Sequence, residues 1–455
     1  MTGRKYSAAI CTLGCRVNQY ESDCIISEFV NNEFTIKDFS DADCDVYVIN
    51  TCTVTAASDK KSKQMIRRAK KLNPTAIIAV CGCFSQANPD VFKSDLHADV
   101  VLGTPEKTKI VSLVLELLDG ANSANVPNLS HVSNILVKNI DEYKTYENIK
   151  AGFSGKTRAY IKIQDGCEAA CSYCIVPRVR GPEKSRRYND IYEEAKRFET
   201  AGYHELVFAG IEVSSYGRDL KYEENIGLID LLEKLNNEPD LTGIKSLRLS
   251  SIDPFLLRKD FVDRLAALDK IANHLHLSLQ SGSTRILNLM RRRYSAERVV
   301  ENIAYAKTKI NGLNLTADII VGFPTETDED FEKTLAIVKD LRIYHAHIFT
   351  YSKRAGTDAA EFSGQVAENI KNTRSQILSQ TCEQIKKAIH AENIGREFDV
   401  IIEDFSDKNG VYTAKTRNFM DVRIVAGRCN TLLRGSVQRV KITDYGKDFL
   451  YGEIV

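Results

Sequence analysis

The chain predicts an α/β protein in three parts: an N-terminal doubly wound parallel sheet, a central partial barrel of six strand–helix units, and a small C-terminal antiparallel β-barrel. Three observations predict it. Across residues 5–118, short apolar runs alternate with amphipathic stretches of helical period, the rhythm of a parallel sheet covered by helices. The alternation restarts at Gly152 with six units, too few for a closed eight-fold barrel. From Ile394 onward, short alternating runs broken by Gly and Asp suggest a compact antiparallel barrel.

In the first part, residues 7–13, 46–50, 76–80 and 100–103 read as strands, and 19–30, 58–72 and 106–118 as helices. Residues 119–150 mix Asn, Ser, Val and charges without a period and read as a linker. In the central part, 151–385, strands are expected at 159–163, 205–208, 245–249, 274–279, 314–321 and 345–351, with helices such as 191–199, 260–268 and 331–341 between them. A helix over 370–393 leads into the last part, 386–455, whose strands are expected at 398–403, 411–414, 421–425, 436–443 and 450–455.

At 455 residues the chain exceeds one ordinary core, and 43% hydrophobic with 27% charged residues places it among globular chains. No apolar run is long enough to span a bilayer, and the short apolar stretch after the basic start runs straight into a cysteine motif, unlike a signal peptide. Twelve cysteines in such a chain argue for reduced thiols and metal ligation in the cytoplasm. A net charge of +1 excludes a globally basic nucleic-acid binder, so RNA contact would be local. Basic runs at Lys60–Lys71, Arg178–Arg187 and Arg291–Arg293 read, each alone, as solvated helix faces.

The chemistry is concentrated in cysteines. Cys167, Cys171 and Cys174 lie within eight residues. They can ligate three irons of a four-iron cluster and leave the fourth open, whereas a closed cluster or a structural zinc site takes four ligands. Cys15, Cys52 and Cys83 sit at expected strand ends, where functional residues gather in doubly wound sheets, and a second cluster held by them would also have an open iron. Cys11, Cys24, Cys44, Cys81, Cys382 and Cys429 read as buried apolar residues. Gly210 after a strand suits close backbone approach to a ligand, or an ordinary turn. Gln280, Ser281 and Gly282 could bond a ligand or cap a loop, and His274, His276 and His347 read as inward-facing barrel residues.

The spacing Cys167-x-x-x-Cys171-x-x-Cys174 resembles the radical S-adenosylmethionine (SAM) superfamily. That resemblance implies a [4Fe-4S] cluster whose open iron is chelated by SAM, and reductive SAM cleavage to a 5′-deoxyadenosyl radical. Over nearly its whole length the chain resembles the methylthiotransferase family. The matching elements include the three N-terminal cysteine motifs, Ile175–Gly181, Gly210–Gly217, Ser250–Pro254, His274–Gly282, Asp318–Pro324 and Tyr351–Thr357. Asp253 departs from the usual Glu, and Arg187 stands where proline commonly follows Ser-Arg.

The resemblance implies an N-terminal methylthiotransferase domain, a radical SAM core, an RNA-binding TRAM barrel, two [4Fe-4S] clusters and SAM as both methyl donor and radical source. It also implies SAM contacts at Gly210, Glu212, Ser251, Gln280 and Ser281. The partners implied are tRNA through its anticodon stem-loop, an electron donor and a sulfur source, with no membrane. Cys15-Arg16-Val17-Asn18-Gln19 resembles the MtaB branch, which modifies C2 of N6-threonylcarbamoyladenosine beside the anticodon. The alternatives are isopentenyladenosine tRNA, a ribosomal protein aspartate, or a non-catalytic iron–sulfur protein. A threonylcarbamoyl group carries a carboxylate, for which Arg178, Arg180 and Arg186 are the candidate partners.

Overall fold

The computed structural model of the chain describes residues 5–122, 134–152, 156–221, 224–406, 410–425 and 432–455. Cys429 and residues 123–133 of the expected linker lie outside them. The first sheet comprises β1 (Ser7–Thr12), β2 (Thr35–Lys37), β3 (Val46–Thr51), β4 (Ile77–Gly82), β5 (Val100–Leu102) and β6 (Asn134–Leu136), all parallel, in the order β2-β1-β3-β4-β5-β6. Every residue of β3 is buried, as expected of a central parallel strand covered on both faces. Its side chains alternate between two cores. Tyr47 and Ile49 pack with Met65, Ile66 and Phe84, whereas Val46 and Val48 pack with Ile25, Phe29 and Val111. The edge strand β6 falls within the stretch expected as a linker; like β2, it has three residues, too few to show a period.

The central part carries β7 (Ala159–Lys162), β8 (Gln164–Asp165), β9 (Lys184–Ser185), β10 (Glu205–Ala209), β11 (Ser246–Leu249), β12 (Ser251–Ile252), β13 (His274–Gln280), β14 (Asn314–Val321) and β15 (His345–Thr350). Two parallel sheets, β11-β10-β7 and β12-β13-β14-β15, make an open partial barrel that parts at Ser250. Amphipathic helices such as Tyr188–Thr200, Leu228–Asn237 and Asp328–Asp340 cover it and share one large apolar core with its strands.

After the helix Glu368–Glu392, five strands close a barrel: β16 (Glu397–Ser406), β17 (Val411–Thr416), β18 (Asp421–Val425), β19 (Val437–Tyr445) and β20 (Leu450–Ile454), in the order β16-β17-β18-β20-β19. The antiparallel expectation holds for every pair except β18 with β20, which run parallel. The β17–β18 turn seats this barrel on the central sheet. Arg417 donates to the Ile271 carbonyl at 2.7 Å, Asn314 donates to the Asn418 carbonyl at 3.0 Å, and Phe419 stacks on His274 with centroids 4.5 Å apart.

Buried charge joins the first two parts. The Glu21 carboxylate accepts from Arg180 at 2.6 Å, from Lys162 at 2.8 Å and from Lys107. Burial alone would raise the Glu21 carboxyl, yet Arg180, Lys107 and Lys162 outweigh it and hold the group well below the usual carboxylate range. The run after the cluster loop is therefore a solvated face only at Arg178 and Arg187. Arg180, Lys184 and Arg186 are buried, and Arg186 pairs with Glu194 beside the Tyr20 hydroxyl. Among the described residues no helix is long and apolar enough to cross a membrane.

Candidate functional site

The loop carrying Cys167, Cys171 and Cys174 is pinned at its base by the antiparallel pair β8–β9. Gly166 makes its first turn at φ +73, and a Cβ there would lie 1.8 Å from the Pro182 carbonyl oxygen, so only glycine lets the loop ends meet. Cys167 then donates its backbone N–H to the Gly181 carbonyl at 3.0 Å. Burial pushes the thiols of Cys167 and Cys174 up to about 12. Iron binding must displace those protons, which makes loading pH-dependent.

Cys15, Cys52 and Cys83 follow β1, β3 and β4, three adjacent strands, and so converge at one edge of the sheet. Cys15 caps the helix Arg16–Asn31 and Cys83 opens the helix Cys83–Ala87. Gly14, at φ +97, brings the first loop against the second: a Cβ there would lie 2.8 Å from the Cys52 sulfur. The Asn18 amide locks the two loops by donating to the carbonyls of Leu13 and Thr51 at 2.7 and 2.9 Å. Burial, followed by the nearby Cys83 and Cys15, pushes the Cys52 thiol up to about 11.

Each triplet has an arginine against one sulfur. Arg180 Nε donates to Cys83 Sγ at 3.4 Å, and Arg292 Nη1 donates to Cys171 Sγ at 3.3 Å while its Nη2 donates to Asp253 at 3.0 Å. Six free thiols in two convergent groups, each with a guanidinium against one sulfur, form a donor set that suits iron–sulfur clusters.

Between the first sheet and the open barrel lies a cavity of about 500 Å³, with Cys15, Arg16 and Cys52 on one wall and Gly210, Ser250 and Ser251 on the other. Its floor comes from β13–β15. There His276 Nε2 lies 3.2 Å from an Asp318 carboxylate oxygen, and the donor atoms of His276, Asp318 and His347 lie within 4.8 Å of one another. Thr316 Oγ1 meets His276 Nδ1 at 2.6 Å and His274 Nε2 at 2.8 Å. Burial, then the Arg248 charge, pushes the His274 ring well below the ordinary histidine range.

The expected SAM contacts divide. Gly210 and Ser251 face this cavity, and Glu212 lines a neighbouring one of about 320 Å³ together with Asp253. Gln280 sits in a bulged stretch of β13 with φ +63. Ser281 is fully buried and accepts from the Ser283 backbone N–H, which is loop capping. Neither Gln280 nor Ser281 lines either cavity. Arg292, Thr316 and Asp318 were not singled out from sequence for these roles, because a buried ion pair and a shared hydroxyl depend on which strands become neighbours. Glu21 carried a signal of a kind, a carboxylate among the buried positions of an amphipathic helix.

Residues 161–338 match the radical SAM superfamily, and residues 7–103 match an uncharacterized protein family, UPF0004. The chain is 35% identical over 453 residues to the threonylcarbamoyladenosine tRNA methylthiotransferase MtaB of Bacillus subtilis, covering 99% of this chain and 96% of the relative. It is 33% identical to the protein of the same name from Aquifex aeolicus, covering 90% and 95%. It is also 33% identical to the tRNA-2-methylthio-N(6)-dimethylallyladenosine synthase of Acetivibrio thermocellus, covering 100% and 92%. Among solved structures, the radical SAM methyltransferase TsrM of Kitasatospora setae superposes with a TM-score of 0.55 at 13% identity, over 78% of this chain and 77% of that one, which is a likeness of fold.

Proposed function

Because this chain belongs to the radical SAM tRNA methylthiotransferase family, we propose that it installs a methylthio group at C2 of N6-threonylcarbamoyladenosine beside the tRNA anticodon. The observation that carries this reading is the cavity shared by Cys15 and Cys52 with the barrel strand ends Gly210 and Ser251. A target carbon placed there lies between the auxiliary triplet and the radical SAM core. In this reading Cys167, Cys171 and Cys174 hold the [4Fe-4S] cluster that engages SAM, and Cys15, Cys52 and Cys83 hold a second one. The chemistry supplied when these groups are bound is one-electron activation of an aromatic C–H bond too weakly acidic for a side-chain base, together with delivery of a methylthio unit.

The chain's own residues supply position and shielding. Asn18 and Gly14 fix the first two cysteine loops, and Arg180 links the cluster loop to Cys83 through a contact that water does not reach. The division into residues 5–118, a linker over 119–150, a core over 151–385 and a barrel over 386–455 belongs to the same proposal, with the barrel gripping RNA. An electron donor and a sulfur source complete it, and the reaction would take place in the cytoplasm.

The relative acting on dimethylallyladenosine, at 33% identity, keeps a second substrate reading in play. The deciding experiment offers purified, reconstituted enzyme both tRNA types in competition and identifies the product nucleosides by mass spectrometry. Methylthio-threonylcarbamoyladenosine is the expected product. A mark chiefly on isopentenyladenosine or on ribosomal protein overturns the substrate assignment.

A further inference from the structure

The three arginines that sequence offered as partners for a substrate carboxylate are not available to one inside the cavity. Arg180 is spent on Glu21, Asp165 and Asn18, and Arg186 on Glu194, Asn148 and Tyr20. Arg178 is exposed and does not line the cavity.

Arg16 is different. It is the first residue of its helix, directly follows Cys15, and lines the cavity half-buried. Its guanidinium lies over the Tyr160 ring at 5.8 Å, and among the described residues it makes no hydrogen bond or ion pair. The acid of the cavity, Asp318, lies against His276 and makes no ion pair with Arg16. On the opposite wall the Ser250 hydroxyl, buried at the point where the two barrel sheets part, also has no hydrogen-bond partner. A half-buried arginine without a partner and an orphaned buried hydroxyl lining one cavity are polar groups that a ligand can satisfy, and for the hydroxyl being left unpaired is costly.

Ring chemistry says which ligand group this is. Only N1 separates C6 from C2 in adenine, so a substituent on N6 lies close to the carbon that must approach the Cys15 loop. We infer that Arg16 receives the carboxylate of the N6 substituent, with Ser250 as a second donor, and thereby selects threonylcarbamoyladenosine over adenosines with an apolar or absent substituent. This rests on the substrate reading above. A guanidinium matches a carboxylate in fork geometry, whereas an isopentenyl group would leave both Arg16 and Ser250 unsatisfied.

The test uses the full-length protein and two synthetic anticodon stem-loops of one sequence, carrying either threonylcarbamoyladenosine or plain adenosine at the target position. The readout is the ratio of the two affinities. Wild type should favour the modified loop. Arg16→Gln should reduce that ratio roughly 10- to 100-fold and Arg16→Lys by less, because charge remains without the fork. Ser250→Ala, a milder change that serves if Arg16→Gln fails to fold, should reduce it roughly 3- to 10-fold. Parallel weakening of both loops would make Arg16 a phosphate contact and overturn the inference, as would an unaltered ratio in the variants. A wild-type protein without preference between the loops would overturn the substrate reading and this inference together.

Discussion

Arg292 joins Cys171 to Asp253: one guanidinium nitrogen donates to the cluster-loop sulfur at 3.3 Å and another to the carboxylate at 3.0 Å. The backbone N–H of Asp253 in turn donates to Ser214 Oγ at 2.8 Å. Asp253 is thus the anchor of an arginine aimed at a cysteine sulfur. Hydrogen bonds and positive charge at cysteine sulfur favour the reduced, more negative form of an iron–sulfur cluster.

Arg292→Gln is therefore expected to lower the reduction potential of the cluster held by Cys167, Cys171 and Cys174, and to slow reductive SAM cleavage about 10- to 100-fold. A redox titration followed by electron paramagnetic resonance measures the first, and 5′-deoxyadenosine release measures the second. An unchanged potential would show that the guanidinium is only packing material.

Two separate cysteine triplets predict two separable losses. Replacing Cys167, Cys171 and Cys174 by Ala should halve the iron content of reconstituted protein and abolish SAM cleavage. Replacing Cys15, Cys52 and Cys83 should also halve the iron, but with SAM cleavage retained and methylthiolation lost. Wild-type protein that saturates at four irons per chain would refute the second cluster.

Glu21 is buried among Arg180, Lys107 and Lys162, so neutralising it strands three cations at the junction of the first two parts. Glu21→Gln should destabilise the protein by about 3–5 kcal/mol, read from denaturant unfolding. A change under about 1 kcal/mol would mean that water enters the junction and solvates the network.

Burial would raise the Glu205 carboxyl, but Arg248 and Arg158 draw it down to about 2 from 4.5. A carboxylate held below its unfolded value stabilises the fold in full above about pH 4.5, and that contribution is lost as pH falls toward 2, since the unfolded chain takes up the proton first. The contribution is on the order of 3 kcal/mol. Glu205→Gln should lower stability at neutral pH and flatten its dependence between pH 4.5 and 2, as followed by circular dichroism. Arg158 also pairs with Glu403 of the C-terminal barrel at 2.6 Å, so the same charge cluster reaches that barrel.

The long, periodic elements were legible in the sequence. β3, β14 and the helix Glu368–Glu392 lie within a residue or two of the expected bounds, because apolar alternation and helical period mark them directly. β2, β6 and the pair β8–β9 were not legible, since two or three residues carry no period and take their pairing from neighbours distant in sequence. The cysteines could be picked out because their chemistry is rare and their spacing local. The basic run after the cluster loop misled for the opposite reason: charge in a sequence reads as solvation, and only the fold reveals that Arg180 and Arg186 point inward to Glu21 and Glu194. Arg16 stands in the sequence only as part of a motif, and the proposal for it comes from its place on the cavity without an ion-pair partner among the described residues.

The hydroxyl of Thr316 fixes more than two rings. It owns one hydrogen, yet it meets both His276 Nδ1 and His274 Nε2. If the threonine hydrogen goes to a bare His276 Nδ1, it faces away from His276 Nε2, which lies 3.2 Å from an Asp318 carboxylate oxygen. The threonine oxygen then accepts from His274 Nε2, leaving His274 Nδ1 bare. One hydroxyl on β14 thereby ties the tautomers of two histidines together, as far as the ring on which Phe419 of the C-terminal barrel is stacked. Because that hydroxyl has a single hydrogen, the two rings change polarity only together, and they can do so without moving a heavy atom.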